Sequence, residues 1–265
     1  MFAIPFLLLL ASCDSDQAPP NGEYIFRKSS DRQFPIAEAK PLEVKAYPWE
    51  EGKVGKLPKI TKEFFRCKGS QLNPSRSEMV NGETATFYDC GGSDKHSLPL
   101  FDGKENVYPV LVDLLNHIQT ATKKKVIITS GHRCPDHNTY LDASLPHQMS
   151  KHTIGAEVAF YVLGFEDKPE SIIKIVQDYY LKDPLTKNDK RYTEFKRYDK
   201  GDTDVSTPPW MNQEIFIKLY RKKEGRNHDN RHPYPYLAIQ VRFDRKKNER
   251  VTYSWDKAYN NFLRY

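Results

Sequence analysis

Apolar residues recur along the chain in two rhythms. Between Pro109 and Thr122, Val110, Leu111, Leu114, Leu115 and Ile118 fall three and four apart behind a first-turn proline, which predicts an amphipathic helix. The same rhythm at Ile172, Ile173, Val176 and Tyr180 predicts a second helix over Pro169–Leu181. Shorter helices are expected over Asp136–Ala143 and Asp256–Leu263. Compact apolar runs predict strands at Lys125–Thr129, Ala156–Val162, Glu214–Tyr220, Tyr236–Phe243 and Arg250–Trp255. The last three are joined by charged connections and read as an antiparallel meander. The expected fold class is α+β, with helices packed on a central antiparallel sheet.

Before residue 60 neither rhythm is sustained. Met1–Ser12 is apolar but shorter than the roughly 20 residues a membrane-spanning helix needs. It ends in Leu10-Ala11-Ser12-Cys13 and turns polar at Asp14, an apolar core closed by small residues as in export signals. Leu-Ala-Ser-Cys resembles the lipobox of bacterial lipoproteins, although no Lys or Arg precedes the run. The resemblance implies cleavage before Cys13, acylation of its thiol, and anchorage to an envelope membrane facing the periplasm or exterior. Six prolines between residues 19 and 58 suit a tether. The expected organisation is a signal peptide (1–12), a lipid-anchored tether (13–60) and a folded domain (61–265).

Composition narrows the classes. With 38% hydrophobic and 12% aromatic residues the chain is not wholesale disordered. Its mean hydropathy of −0.73 excludes a multi-span membrane protein. The net charge of +6 on 265 residues is modest. It suits an anionic surface and gives no reason to expect nucleic acid. In an oxidising compartment two of the three cysteines after Cys13 can pair. Cys67 and Cys90, both in polar, Gly-flanked settings, are the expected disulfide, worth about 3 kcal/mol in the chain-entropy model. Cys134 is then the odd thiol.

Four of the eight histidines crowd into residues 132–152. They sit in Ser130-Gly131-His132-Arg133-Cys134-Pro135-Asp136-His137-Asn138 and, after His147, in Ser150-Lys151-His152-Thr153-Ile154-Gly155. A strand ending in Ser-Gly-aromatic-Arg with a following His-Asn, then Ser-x-His-x-x-Gly leading into a strand, resembles the zinc D-alanyl-D-alanine carboxypeptidase and dipeptidase family. That family trims peptidoglycan stem peptides, and the alignable part covers about residues 107–244. The resemblance implies an open zinc site with three protein ligands and a nucleophilic water. His152 stands at the first ligand position, and Arg133 at the position that binds the substrate carbonyl and its developing oxyanion.

The match then breaks. Seven residues after His152, where the family has an Asp ligand, stands Ala159. Glu157 is two residues earlier on the same strand face, displaced by about 6–7 Å. Gln240 replaces the third ligand, a His, and residues 236–239 hold no acidic general base. Arg133, Ser150, Gln240 and Arg242 are therefore expected to line a cleft that binds a peptidoglycan stem peptide without cutting it, or that serves as a scaffold, with no cofactor. The second expectation is an active peptidase with zinc on rearranged ligands, His152 with Glu157 and His147. The third is an envelope structural protein without a ligand.

Overall fold

The computed structural model describes residues 53–80, 82–142, 149–199 and 201–265. The expected signal peptide, the Cys13 acylation site, nearly all of the tether and His147 lie outside the described residues. No helix among the described residues is long and apolar enough to cross a membrane.

The central element is a six-stranded sheet, antiparallel throughout. In chain order its strands are β1 (Val126–Ser130), β2 (Glu157–Val162), β3 (Lys196–Arg197), β4 (Trp210–Met211), β5 (Ile215–Tyr220) and β6 (Tyr236–Val241). Across the sheet they run β1-β2-β6-β5-β4-β3. Five α-helices are present among the described residues: α1 (Pro109–Thr122), α2 (Pro135–Leu141), α3 (Pro169–Lys182), α4 (Lys190–Thr193) and α5 (Trp255–Tyr259). The fold is thus α+β.

Alternation along the strands splits the sheet into two chemically different faces. Val158, Phe160, Val162, Ile215, Ile217, Leu219, Leu237, Ile239 and Val241 enter the main core with the buried stripes of α1 and α3. Leu111, Leu114, Leu115 and Ile118 of α1 are completely buried there, each contributing roughly 1.5–3 kcal/mol of transfer free energy. The intervening residues Ala159, Tyr161, Tyr220, Tyr236 and Ala238 form a smaller cluster on the opposite face. That second face carries the cleft.

The folded part starts before residue 60. Lys53–Val54 and Leu57–Pro58 pair as a short hairpin. Ile60 is buried, its N–H donating to Asn116 Oδ1 at 2.8 Å and its carbonyl accepting from Asn116 Nδ2. The strand expected over Arg250–Trp255 is not formed as such. Phe243–Asp244 and Glu249–Arg250 close a hairpin instead, with Asp244 Oδ1 accepting from the N–H groups of Lys246 and Lys247 and Asn248 at φ 53°. This turn folds the run back on itself rather than onto the sheet. Helix α5 stops at Tyr259, short of Leu263, because Asn261–Tyr265 runs extended against Lys95–Leu100.

Candidate functional site

Both motifs sit at strand ends, as the sequence suggests, and they meet on the cleft face. Arg133, three residues beyond β1, is buried, and its Nε donates to Ser130 Oγ at 2.7 Å and Asp229 Oδ2 at 3.1 Å. Ser150 is spent as a cap: its Oγ accepts from the N–H of His152, opening a 3-10 turn over Lys151–Ile154. Gly155 closes that turn at φ 66°, a conformation side chains rarely adopt, and thereby swings the chain into β2. The Ser-x-His-x-x-Gly signature is a local folding device before it is anything catalytic.

The turn fixes His152 in one tautomer. Its Nδ1–H donates to the Gly131 carbonyl at 2.6 Å, leaving Nε2 with a lone pair 3.7 Å from Glu157 Oε1. Burial, reinforced by the Arg133 charge, pushes the His152 pKa down to about 4, so the ring is neutral at pH 7. Glu157 is held below the usual carboxylate range: burial works against it, but the Lys218 and Arg133 charges and a bond from Gln240 Nε2 at 3.0 Å outweigh burial. Two acceptors therefore face one another across a gap that a proton, a water or a cation would bridge.

Strand register sets the cleft floor. Ala159 pairs with Ala238 and Glu157 with Gln240 across β2 and β6. The cavity above them is about 380 Å³ and is lined by Arg133, Ser150, His152, Glu157, Ala159 and Gln240, among others. It adjoins a second cavity of about 270 Å³ that adds Arg242, the two sharing Lys151, Asp202, Lys218 and Gln240. All four residues expected to line a substrate cleft thus lie on one continuous surface. Arg242 also donates to the Asn212 carbonyl, and Lys151 Nζ donates to the Val241 carbonyl at 2.6 Å.

The expected cleft lacks residues that the alternation of β5 and β6 would have supplied. Tyr220 and Tyr236 stack at 4.5 Å between ring centroids and wall one side. Asp204 accepts from Tyr220 Oη at 2.6 Å and from Lys218 Nζ at 2.7 Å. Asp229, in the loop before β6, joins the site to α2 through His137, whose Nε2 lies 2.9 Å from Asp229 Oδ1 and whose Nδ1 lies 2.6 Å from Asp89 Oδ1. Burial disfavours charge on His137, but the two carboxylates win and raise its pKa to about 9. Both ring nitrogens of His137 are thus engaged by carboxylates.

The residues do not fit a three-ligand zinc centre in this cleft. Among the described residues no third His, Cys, Asp or Glu converges with His152 and Glu157. Ala159 carries no donor atom, and Gln240 has a neutral amide already engaged by Glu157. The expected Cys67–Cys90 disulfide is likewise not made. The two sulfurs are free thiols 3.9 Å apart, against the roughly 2.05 Å of an S–S bond, and Cys134 packs beside them rather than standing alone.

No family model, curated protein or solved structure matches the chain.

Proposed function

We propose that the domain is carboxypeptidase-like and binds a peptidoglycan stem peptide in this cleft without cleaving it, in an exported lipoprotein held at an envelope membrane through Cys13. One observation carries the reading: β2 and β6 present Ala159, Ala238 and Gln240 to the cleft floor, so the cleft keeps its cationic and donor groups while no third metal ligand joins His152 and Glu157 among the described residues. Lys151, Lys218, Arg133 and Arg242 suit a carboxylate-bearing peptide, with the Tyr220–Tyr236 wall for its apolar parts. The test is calorimetric titration with a pentapeptide ending in D-Ala-D-Ala, alongside an assay for released D-Ala. Binding without release is expected. Arg242→Ala, which removes an exposed guanidinium, should weaken binding about 10- to 100-fold, the worth of one charge-assisted hydrogen bond. D-Ala release sensitive to chelator would replace this reading with that of an active peptidase. Absence of both binding and release would leave a structural envelope protein.

The acceptor pair His152 Nε2 and Glu157 Oε1 specifically favours a second reading, in which a cation bridges them and the ligands are rearranged. A metal ion lost on His152→Ala, together with D-Ala release, is what that reading requires.

A further inference from the structure

At the N-terminus of α2, where Cys134 caps the helix, four buried side chains converge. The ligand atoms of Cys67, Cys90, His96 and Cys134 all lie within 4.8 Å of one another, and the residues are only 5%, 6%, 5% and 1% exposed. We propose that these four residues form a closed Cys3His site for a structural zinc ion. The site is independent of the cleft and of any reading of its ligand.

Geometry is the first argument. A tetrahedral ion with Zn–S of about 2.3 Å and Zn–N of about 2.0–2.1 Å sets its ligand atoms roughly 3.6–3.8 Å apart. The Cys67 and Cys90 sulfurs are already 3.9 Å apart, so closing on an ion needs only a small contraction. A polynuclear iron–sulfur cluster would hold its ligands further apart than this.

His96 supplies the second argument. Its Nδ1 lies 3.3 Å from the Ser97 carbonyl, which fixes the proton on that nitrogen. Its Nε2 is buried with no hydrogen-bond partner. An orphaned buried nitrogen costs free energy, and coordination satisfies it. Zinc-bound histidines commonly donate their other N–H to a carbonyl in just this way.

The surroundings are arranged around the sulfurs. The N–H of His137 donates to Cys134 Sγ at 3.4 Å. Gly69 lies so close that a Cβ there would sit 2.1 Å from Cys90 Sγ. Asp89 holds the loops together, its Oδ2 accepting from Ser70 N–H and Asn73 Nδ2 and its Oδ1 bonding His137. A Cys67–Cys90 disulfide would leave a third thiol and the His96 nitrogen unpartnered in the same pocket. One ion satisfies all four atoms. No coordination position is left open to solvent, so the role is structural rather than catalytic.

The experiment is elemental analysis of the purified full chain, with mass-spectrometric mapping of thiols and replacement of the ion by Co(II). One zinc per chain is expected, retained in His152→Ala and falling to none in Cys90→Ser. The Co(II) form of the unmodified chain should show tetrahedral ligand-field bands with thiolate charge transfer, which holds even if Cys90→Ser fails to fold. Cys67, Cys90 and Cys134 should resist alkylation until a chelator is added. A Cys67–Cys90 disulfide, metal-free chain with three reactive thiols, iron in place of zinc, or zinc lost in His152→Ala but kept in Cys90→Ser would each overturn the proposal.

Discussion

Asp229 is the residue on which the cleft and the α2 region lean together, and Asp229→Asn tests how much. Its side chain is 1% exposed and accepts from Arg133 Nε at 3.1 Å and His137 Nε2 at 2.9 Å. Its carboxyl is held well below the usual range: burial opposes ionisation, but the Arg133 charge and the His137 bond outweigh burial. The amide is close to isosteric, but it removes the charge and puts an NH2 donor in place of one of the two acceptor oxygens, facing either Arg133 or His137. Two charge-assisted hydrogen bonds at about 1.5–3 kcal/mol each would set an upper range of about 3–6 kcal/mol. Arg133 keeps Ser130 Oγ and His137 keeps Asp89, so part of each cation's environment survives. A loss of about 3–5 kcal/mol, typical of a broken buried pair, is the expected value. At about 2–4 °C per kcal/mol for a domain of this size, the midpoint should fall by roughly 6–20 °C. Urea unfolding monitored by fluorescence gives the free energy, and Arg133→Met measured alone and with Asp229→Asn gives the coupling. A loss under about 1 kcal/mol, or additivity of the two changes, would refute the claim that Arg133 is anchored by this pair.

Two further outcomes follow from the cleft. His152 has a folded pKa of about 4 against about 6.5 unfolded, so the unfolded chain binds the proton more readily. Its contribution is present above pH 6.5 and is lost as pH falls toward 4, amounting to about 3 kcal/mol; unfolding curves across that window should separate the parent chain from His152→Gln, and identical slopes would contradict a buried neutral ring. Ala159 and Gln240 share the cleft face with His152, so Ala159→Asp combined with Gln240→His should create a second zinc site, abolished by His152→Ala. A double variant holding no additional zinc would count against the carboxypeptidase-like geometry.

The parts of the fold legible from sequence were those with a complete rhythm. Val110 to Ile118 marks α1, and the runs at 126–130, 157–162, 215–220 and 236–241 mark four of the six sheet strands. Strands β3 and β4 are two residues each, too short to display a period. Val251 and Tyr253 alternate as a strand should and pack on the core, yet the run stays outside the six-stranded sheet, because the hairpin at 243–250 returns the chain on itself and Val251 N–H ends it on the Arg242 carbonyl at 2.8 Å. In the cleft, Arg133, His152 and Glu157 were visible because each lies at a strand end beside a motif. Lys218 and Tyr220 share one face of β5, but Asp204 comes from the loop between β3 and β4 and no motif ties it to them; the fold brings it there. The cluster of Cys67, Cys90, His96 and Cys134 is spread over three segments: Cys90 and His96 share one loop six residues apart, Cys67 and Cys134 come from elsewhere, and His96 looks like any loop histidine.

The extended segment Asn261–Tyr265 lies across the chain that carries His96. Ser97 N–H donates to the Leu263 carbonyl at 2.9 Å, Tyr265 N–H to the Lys95 carbonyl at 2.8 Å, and His96 bridges to Arg264. Residues 261–265 therefore help to hold His96 toward the sulfurs, and a variant lacking their backbone bonds is expected to release a bound ion faster than the parent chain. Retention of the ion would then depend on a segment that contributes no ligand, through the backbone pairing that positions His96.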